Sequence, residues 1–377
     1  MKKSIVFVIE SLHLGGAEKS LVTLLQNLDY NFYDVDLLTF HPGGFFSDLL
    51  PSEVHHIVVP FPKLSLIDRG LFKLKRFFNF KHYHNAQLFW PIVEKYFKVN
   101  EKRYDFAIAY NQGFSTYYTA KFLNADVKYA WLNIDYRKAG YLIDFDVSFY
   151  EKFKKVIAVS PEAKSGFIEV LENKNIIVDI IKDISDKKNI KERSEEEMQN
   201  KFEVGNSIKI VTVGRLAEQK GIPLAIDACK ILNKKYDVKW YVIGEGVMRP
   251  KLENLINEKN LTGSFFLYGA YQNPYPYMKA CDIYVQTSLF EGLGLTVIEA
   301  SYLNKPIVST NFPTVYGILK DGETGLIAEM NAEDIVKKIE RLITDKALRE
   351  TLVSNLEEQE NTDKQVTLQQ IDFLLNV

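Results

Sequence analysis

The sequence is poor in cysteine. Its two cysteines, Cys229 and Cys281, provide neither a disulfide framework nor a zinc-site spacing, and we expect both to be small buried residues in a reducing compartment. An excess of charge of one sign is also lacking, because 47 lysines and arginines stand against 49 aspartates and glutamates, for a net charge of −2. This balance removes the global electrostatic argument for a nucleic-acid partner, and we expect none.

Long apolar runs are missing as well. The longest fall short of the roughly 18 residues that a membrane-spanning helix needs, and the first run, after "MKK", is interrupted by Glu10. That run is too short for a signal peptide and is typical of a buried first strand. We therefore expect a cytoplasmic protein that meets a membrane, if at all, as a peripheral protein on the inner face of the plasma membrane.

What the sequence does have is a regular alternation of apolar runs and helical patterns. The runs include "IVFVI", "VDLLTF", "FAIAY" and "KVIAVS" in the first half, then "IKIVTVG", "KWYVIG", "IYVQTS" and "PIVST" in the second. Near-continuous apolar strands separated by helices indicate parallel sheets covered on both faces. With 377 residues and 46% hydrophobic composition, the prediction is an α/β fold of two Rossmann-like domains.

The domain boundary is expected near residue 185. The charge-rich residues 183–207 are interpreted as a solvated connection that leads into the second domain. The predicted domains are residues 1–185 and 186–363, with a tail, residues 364–377, that packs back on the first.

Glycines follow several predicted strands at places where an anion could bind. Gly15 and Gly16 lie between the first strand and a helix, where they provide either a phosphate-binding turn or only a tight turn. In "VTVGRLAEQKG", Arg215 follows Gly214 directly and Lys220 precedes the next helix. Both cations could converge on a phosphate pair at the carboxyl edge of the sheet, although each alone could be a surface charge. Gly244, in "YVIGEG", marks a similar turn.

The segment "TSLFEGLGLTVIEA" places two carboxylates beside glycines. Glu291 comes at the exit of a strand, and Glu299 is expected about two turns into the following helix. Such carboxylates accept hydrogen bonds from vicinal hydroxyls, yet the same pattern could be an exposed helix start. The spacing fits neither a dinucleotide fingerprint nor a Walker A loop.

Together these motifs resemble the retaining glycosyltransferases of GT-B fold in glycosyltransferase family 4, also called group 1. The resemblance covers most of the chain, through "GGAEKSLVTLL", "AVSPEAKSGFIE", "VGRLAEQKG", "VIGEG", "NPYPYMKACDIYVQTSLFEGLGLTVIEA", "NKPIVST" and "GETGLIA". It implies two domains whose parallel sheets face each other across a cleft. It also implies transfer of a hexose-type sugar from a nucleotide-diphosphate donor, for which we favour UDP, in surface polysaccharide biosynthesis such as that of a capsule.

The resemblance also implies roles for single residues. Arg215, Lys220 and Glu291 would form the catalytic set: the cations bind the donor diphosphate, and Glu291 holds hydroxyls of the donor sugar. Glu299 would bind the ribose. The remaining donor contacts would come from glycines and neighbouring backbone, namely Gly15, Gly16, Gly214, Gly244, Gly269, Tyr271, Gly292, Leu293, Gly294 and Leu295. No metal and no cofactor is implied, since the leaving phosphate itself takes the acceptor proton.

Two positions depart from the family pattern on the acceptor side. Asn133 stands where many relatives have a histidine, with Asp135 two residues on, and Asp183 stands in place of an asparagine. Asparagine can donate a hydrogen bond but cannot shuttle a proton. The expected acceptor is a polyprenyl-linked or other glycan.

Residues 61–90 combine cations with phenylalanines. Six cations and one acid give this segment a charge of about +5, and the basic aromatic patch expected to contact an anionic membrane comprises Lys73, Lys75, Arg76, Phe77, Phe78 and Lys81. The alternative is that the phenylalanines belong to the core and only the cations face solvent.

Three other functions stay open from the sequence. A metal-dependent GT-A transferase would use an Asp-x-Asp pair such as Asp34 and Asp36 or Asp144 and Asp146. A GT-B epimerase or sugar-phosphate transferase could use the same scaffold. A non-catalytic nucleotide-sugar-binding partner of a glycosyltransferase complex is the third, and Asn133 favours it.

Overall fold

The structure is a computed structural model that describes residues 2–172, 174–359 and 363–375. The chain forms two compact units. The N-terminal unit comprises Met1–Ile184 and Gln365–Val377, and the C-terminal unit comprises Ser185–Lys364. These bounds differ by one residue from the expected ones.

The N-terminal unit is a parallel sheet with helices on both faces. Its elements are β1 (Lys3–Ile9), α1 (Gly16–Leu25), β2 (Tyr33–Thr39), β3 (Val54–Val58), α2 (Leu66–Phe77), α3 (Asn85–Val93), β4 (Arg103–Ala109), α4 (Phe114–Phe122), β5 (Asn124–Leu132), α5 (Ile143–Tyr150), β6 (Lys155–Ala158), α6 (Pro161–Leu171) and β7 (Val178–Ile180). The seven strands pair in the order β3-β2-β1-β4-β5-β6-β7. Burial on both faces explains their apolar sequences: residues 5–9 of β1 are fully buried.

The C-terminal unit repeats this plan. Its elements are α7 (Lys187–Arg193), β8 (Ile208–Val213), α8 (Ile222–Leu232), β9 (Val238–Ile243), α9 (Arg249–Glu258), β10 (Phe265–Gly269), α10 (Tyr275–Ala280), β11 (Ile283–Gln286), α11 (Leu295–Tyr302), β12 (Ile307–Thr310), β13 (Leu326–Ala328), α12 (Ala332–Thr344) and α13 (Lys346–Glu358). The six strands are all parallel, in the order β10-β9-β8-β11-β12-β13.

The strand order reverses once in each sheet. The reversal lies between β1 and β4 in the N-terminal unit and between β8 and β11 in the C-terminal unit. Loops after two such strands diverge to opposite faces of the sheet, and the crevice between them is where open parallel sheets bind ligands. The segments with Arg215 and Glu291 follow β8 and β11, so both lie at this point of their sheet.

The interpretation of residues 183–207 as a solvated connection is wrong in part. Helix α7 packs against α10 and α11, and Ile190 and Phe202 belong to the apolar core of the C-terminal unit. The ring of Phe202 stacks on Tyr241 with centroids 4.3 Å apart. Apolar side chains within a charged segment therefore help to hold it against the core.

The C-terminal helix α14 (Asp363–Leu375) returns to the N-terminal unit. Tyr33 donates a hydrogen bond of 3.0 Å to Asp372, and Tyr129 donates one of 3.0 Å to the carbonyl of Leu374. Ile371, Leu374 and Leu375 are buried there. Within the described part of the chain, every helix is too short or too polar to cross a bilayer.

Candidate active site

Lys220 and Glu291 form an ion pair at the strand-order reversal of the C-terminal sheet. Lys220 ends a short 3-10 helix after β8, and Glu291 lies in the loop between β11 and α11. The Lys220 Nζ donates to Glu291 Oε1 at 2.6 Å, and the two side chains are only 13% and 8% exposed. The structure therefore brings together two of the three residues expected to be catalytic, with little water around either charge.

A chain of buried hydroxyl and amide groups holds the Glu291 carboxylate in place. Ser288 Oγ donates to Glu291 Oε1 at 2.6 Å, and Gln286 Nε2 donates to Ser288 Oγ at 2.7 Å. Tyr284 and Thr296 donate in turn to Gln286 Oε1, at 2.7 and 3.2 Å. Because hydrogen bonds to a carboxylate restrict its rotation, Glu291 is held ready for a ligand.

The loops after β8 and β11 are also joined through their backbones. Leu289 N–H donates to the carbonyl of Gln219 at 2.8 Å, and the Gln219 amide donates back to the Phe290 carbonyl at 2.9 Å. Gly221 has a φ of +59°, and a Cβ there would lie 2.1 Å from the Thr287 carbonyl oxygen. A residue with a side chain would push the two loops apart, so glycine is needed at this position.

Gly214 and Gly244 bring the ends of β8 and β9 close together. A Cβ on Gly244 would lie 1.9 Å from the Gly214 carbonyl oxygen. Leu216 N–H donates to the Glu245 carbonyl at 2.9 Å, which extends the pairing beyond both strands. Arg215 lies between these contacts with its side chain exposed, and no ion pair to it is found among the described residues. Its guanidinium is therefore available to an anion.

Helix α11 begins directly after the glycine loop. Gly294 is its N-cap residue, with a φ of +88°, and Leu295 is its first residue, while Gly292 and Leu293 are buried in the loop. Glu299 is the fifth residue of α11, so it lies little more than one turn into the helix, and the expectation of two turns is wrong. Its carboxylate is buried, with Tyr275 donating at 3.5 Å.

The loop after β10 holds Gly269 and Tyr271. The Gly269 carbonyl accepts from Gly244 N–H at 2.8 Å, which places it beside the end of β9. The Tyr271 ring stacks on Tyr277 with centroids 4.8 Å apart, and its hydroxyl donates to the Tyr268 carbonyl at 3.1 Å. The aromatic loop thus packs on its own core, and its expected position beside a base stays a prediction.

The remaining expected site residues lie in the N-terminal unit. Gly15 is the N-cap residue of α1, and Gly16 is the first residue of that helix. Asn133 follows β5 and donates through its amide to the Tyr110 carbonyl, while its Oδ1 is buried with no hydrogen-bond partner in the described part of the chain. Asp135 accepts from Arg137 N–H at 3.0 Å, so its carboxylate stabilises a turn.

A buried polar cluster lies at the strand-order reversal of the N-terminal sheet, and the sequence did not predict it. Ser20 Oγ donates to Asp183 Oδ1 at 2.5 Å and lies 2.9 Å from the Tyr110 hydroxyl. Burial raises the pKa of Asp183 to about 6. The hydrogen bond from Ser20 lowers this pKa, but by less than burial raises it. This carboxyl is thus held close to its titration point near neutral pH.

The second aspartate of each Asp-x-Asp pair contributes to structure, while the first, Asp34 or Asp144, is exposed. Asp36 is buried in β2, where it accepts from Lys102 at 2.8 Å and from Tyr104 at 2.5 Å. Asp146 is buried in α5 and accepts from two tyrosine hydroxyls, and burial raises its pKa to about 6. Among the described residues, no group of three His, Cys, Asp or Glu side chains is placed to hold a metal ion.

The C-terminal unit resembles a known protein family. Residues 193–359 match the family model described as "Glycosyl transferases group 1". The matched range contains Arg215, Lys220, Glu291 and Glu299, and it supports a group 1 glycosyltransferase. It ends before α14 and begins after the whole first sheet, so it concerns the C-terminal unit.

Curated relatives match over part of their length. An uncharacterised glycosyltransferase of Methanocaldococcus jannaschii is 34% identical over 172 residues, 44% of this chain and 42% of that protein. An N-acetylgalactosamine-N,N'-diacetylbacillosaminyl-diphospho-undecaprenol 4-alpha-N-acetylgalactosaminyltransferase of Campylobacter jejuni is 29% identical, over 52% of this chain and 53% of that protein. The capsular polysaccharide biosynthesis glycosyltransferase CapM of Staphylococcus aureus is 34% identical over 38% of each. The chain thus spans about half or less of these relatives.

Solved structures resemble the whole chain. The Anabaena protein HepE in complex with UDP and glucose has a TM-score of 0.74 at 18% identity, covering 99% of both chains. A mutant of S. aureus TarM, in complex with fondaparinux, alpha-GlcNAc-glycerol and UDP, has a TM-score of 0.70 at 16% identity, covering 100% of both. At these identities the likeness shows the fold, which is GT-B.

The supports of Glu291 were missed in the sequence, although a signal for them existed. Gln286 and Ser288 are buried polar residues at the end of the otherwise apolar run "IYVQTS". A buried amide needs partners of its own, so a glutamine inside a strand of a parallel sheet indicates a polar network at that edge. The partners themselves depend on the loop conformation, which the pattern does not give.

Proposed function

We propose that this protein transfers a hexose-type sugar from a UDP-sugar to a glycan or lipid-linked acceptor in surface polysaccharide biosynthesis, with retention of anomeric configuration. The observation that carries the proposal is the Lys220–Glu291 pair beside the exposed Arg215, at the strand-order reversal of the C-terminal sheet. Two cations and a held carboxylate match the two halves of such a donor, its diphosphate and its sugar hydroxyls.

Donor binding would rearrange the charges of this site. The diphosphate would take the ammonium of Lys220 and the guanidinium of Arg215 as partners. Glu291, still held by Ser288 at 2.6 Å, would then accept hydrogen bonds from the sugar hydroxyls in place of the lysine. Gly292–Leu295 would contribute backbone N–H groups near the start of α11, and Glu299 would accept from the ribose.

The chemical step follows from the leaving group. The acceptor oxygen forms its bond to C1 of the sugar on the face that the diphosphate leaves, and the C1–O bond to the diphosphate breaks. The acceptor proton passes to the departing phosphate oxygen, so no nucleophile from the protein is required. Arg215 and Lys220 would stabilise the negative charge that develops on the diphosphate, which is where most of the acceleration is expected.

A donor panel with product analysis tests the proposal. Purified protein is incubated with UDP- and GDP-sugars, with and without lipid-linked glycans, and the product anomer is assigned by NMR. Transfer from a UDP-sugar with the donor's anomeric configuration supports it. Inversion, epimerised free sugar, or nucleotide-sugar binding without turnover would each contradict it, and activity lost with EDTA would indicate a metal-dependent mechanism.

A further inference from the structure

Helix α2 presents large apolar side chains to solvent. Leu66, Ile67 and Phe77 are 84%, 82% and 79% exposed, and Phe80, just beyond the helix, is 81% exposed. Leu71, Leu74 and Phe78 are exposed beside them. A group of seven such side chains, five on the helix and two just after it, is larger than the scattered apolar residues of an ordinary surface, and it indicates an interaction site.

The helix separates its apolar and basic side chains by angle. At about 100° per residue, the exposed apolar residues of α2 fall within an arc of about 140°. Arg69, Lys73 and Arg76 fall together on an arc of about 60° next to it, and all three are exposed. Phe72 points the other way and packs on Phe89, with ring centroids 4.9 Å apart. One face thus attaches α2 to the protein, and the outer face is apolar along one side and basic along the other.

The only acid of residues 63–81 is turned away from this outer face. Asp68 is buried and accepts hydrogen bonds from Lys95 Nζ at 2.7 Å, from Tyr96 at 2.5 Å and from Ser65 at 2.8 Å. The Lys95 ammonium and these hydroxyls hold the pKa of Asp68 well below its usual range. Asp68 therefore fixes the rotation of α2 about its axis and leaves the outer face without an acid of its own.

We propose that α2 and the turn that follows it, residues 66–81, form a docking surface for an anionic lipid bilayer. The helix lies flat on the membrane, with Ile67, Leu74 and Phe77 among the acyl chains and Arg69, Lys73 and Arg76 at the lipid phosphates. Lys81, in the turn after the helix, is also exposed. Lys75, which the sequence placed in this patch, is half-buried and lies outside it, while Phe77 and Phe78 face solvent and not the core.

A second copy of the chain fits this surface less well. In a two-fold dimer the same patch would meet itself, so the cations of both copies would approach each other with no acid from residues 63–81 to pair with them, since Asp68 is turned inward. A bilayer with anionic headgroups supplies the opposite charge and the apolar phase in the same plane. Charge complementarity therefore favours lipid.

Vesicle flotation of the full chain tests the proposal, without donor or acceptor. Binding to vesicles of phosphatidylcholine with about one third phosphatidylglycerol is compared with binding to phosphatidylcholine alone. The triple variant Arg69→Gln, Lys73→Gln and Arg76→Gln should bind about 100-fold more weakly, since each cation near the surface contributes about fivefold. The variant Ile67→Ser, Leu74→Ser and Phe77→Ser should bind at least about tenfold more weakly.

Matched controls come from exposed residues elsewhere. Lys188→Gln, Lys320→Gln and Lys346→Gln remove three cations whose side chains are 85%, 73% and 78% exposed, and should leave flotation unchanged. Val204→Ser and Val247→Ser remove two exposed apolar side chains elsewhere and should also leave flotation unchanged. Circular dichroism verifies that each variant is folded.

Three outcomes would overturn the proposal: no flotation of the folded chain, equal flotation with neutral vesicles, or a dimer in solution that the Ile67, Leu74 and Phe77 variant converts to monomer. Because no donor is present, each outcome is independent of sugar transfer. A chain that transfers sugar but does not float would lose this inference and keep the proposed function.

Discussion

Lys220 and Glu291 carry opposite charges at a place where both are largely shielded from water, and each should therefore depend on the other. We expect Lys220→Ala to lower kcat/KM for sugar transfer by about 10- to 100-fold, because a charge-assisted bond to the leaving phosphate is worth about 1.5–3 kcal/mol. Glu291→Gln should lower it too, and the double variant should lose less than the sum of the two free-energy changes.

Steady-state kinetics of the three variants with one UDP-sugar measure this coupling. The control is Lys235→Ala, which removes the partner of Glu340 in a surface ion pair of 3.0 Å and should leave the kinetics unchanged. Unchanged turnover by Lys220→Ala, or strictly additive free-energy changes in the double variant, would contradict the prediction that the two residues act together.

The buried Asp183 should make the stability of the protein depend on pH. Its folded pKa of about 6 lies above the ordinary 3.8, so between about pH 4 and 6 the folded chain keeps the proton while the unfolded chain loses it. The buried carboxylate therefore destabilises the fold increasingly between about pH 4 and 6, and by a constant amount above. We expect Asp183→Asn to be more stable than the parent at pH 7 by about 2–3 kcal/mol, with the difference vanishing near pH 4.

Urea unfolding between pH 4 and 8 measures this difference. The amide oxygen that Asp183→Asn introduces can still accept from Ser20, which preserves the 2.5 Å contact of the parent. The exposed Asp34 gives the control, since Asp34→Asn makes the same replacement at the surface of the protein. A difference that stays flat with pH at Asp183 would mean that the carboxyl is not held protonated.

At the scale of elements, the junction of the β8 and β11 loops depends on Gly221. We expect Gly221→Ala to destabilise the C-terminal unit by about 1–3 kcal/mol, because alanine meets both a left-handed backbone and the Thr287 carbonyl oxygen 2.1 Å from its Cβ. UDP affinity should fall as well, since the displaced loops carry Lys220 and Glu291. Thermal unfolding and calorimetric titration with UDP measure the two effects.

Gly263→Ala is the matched control for this element. Gly263 lies outside the left-handed region and has open space around its Cβ position, so alanine there should change neither stability nor affinity. If Gly221→Ala binds UDP as tightly as the parent does, the loop junction is not part of the donor site.

The sequence could predict the position of some of these elements but not of others. Apolar strands bounded by glycine placed Lys220 and Glu291 at one sheet edge, because parallel strands must end there together. The sequence could not decide between core and surface for Phe77, since both faces of α2 carry apolar residues and only the packing of Phe72 and Asp68 selects one. The depth of Glu299 in α11 was also misjudged, because the helix starts only after Gly294.

At the scale of the whole molecule, the two units differ in the charged residues that they contribute to the proposed donor site and in how the chain completes them. The charged residues proposed to contact UDP, namely Arg215, Lys220 and Glu299, all belong to the C-terminal unit, whereas α14, at the end of the chain, belongs mainly to the N-terminal unit. A ligand that binds one folded unit stabilises that unit by mass action and leaves the other unchanged. A ligand or a core substitution in one unit should therefore change the unfolding transition of that unit only.

We expect scanning calorimetry to resolve two transitions and UDP to raise only one. At about 100 times its dissociation constant, UDP should add about 2.7 kcal/mol to the C-terminal unit. Leu375→Ala in α14 should lower the other transition, by about 2–5 kcal/mol, because Leu375 is fully buried. Leu356→Ala in α13 is the reciprocal control: it should lower the transition that UDP raises. A loss of the UDP-raised transition in Leu375→Ala would contradict the assignment of α14 to the N-terminal unit.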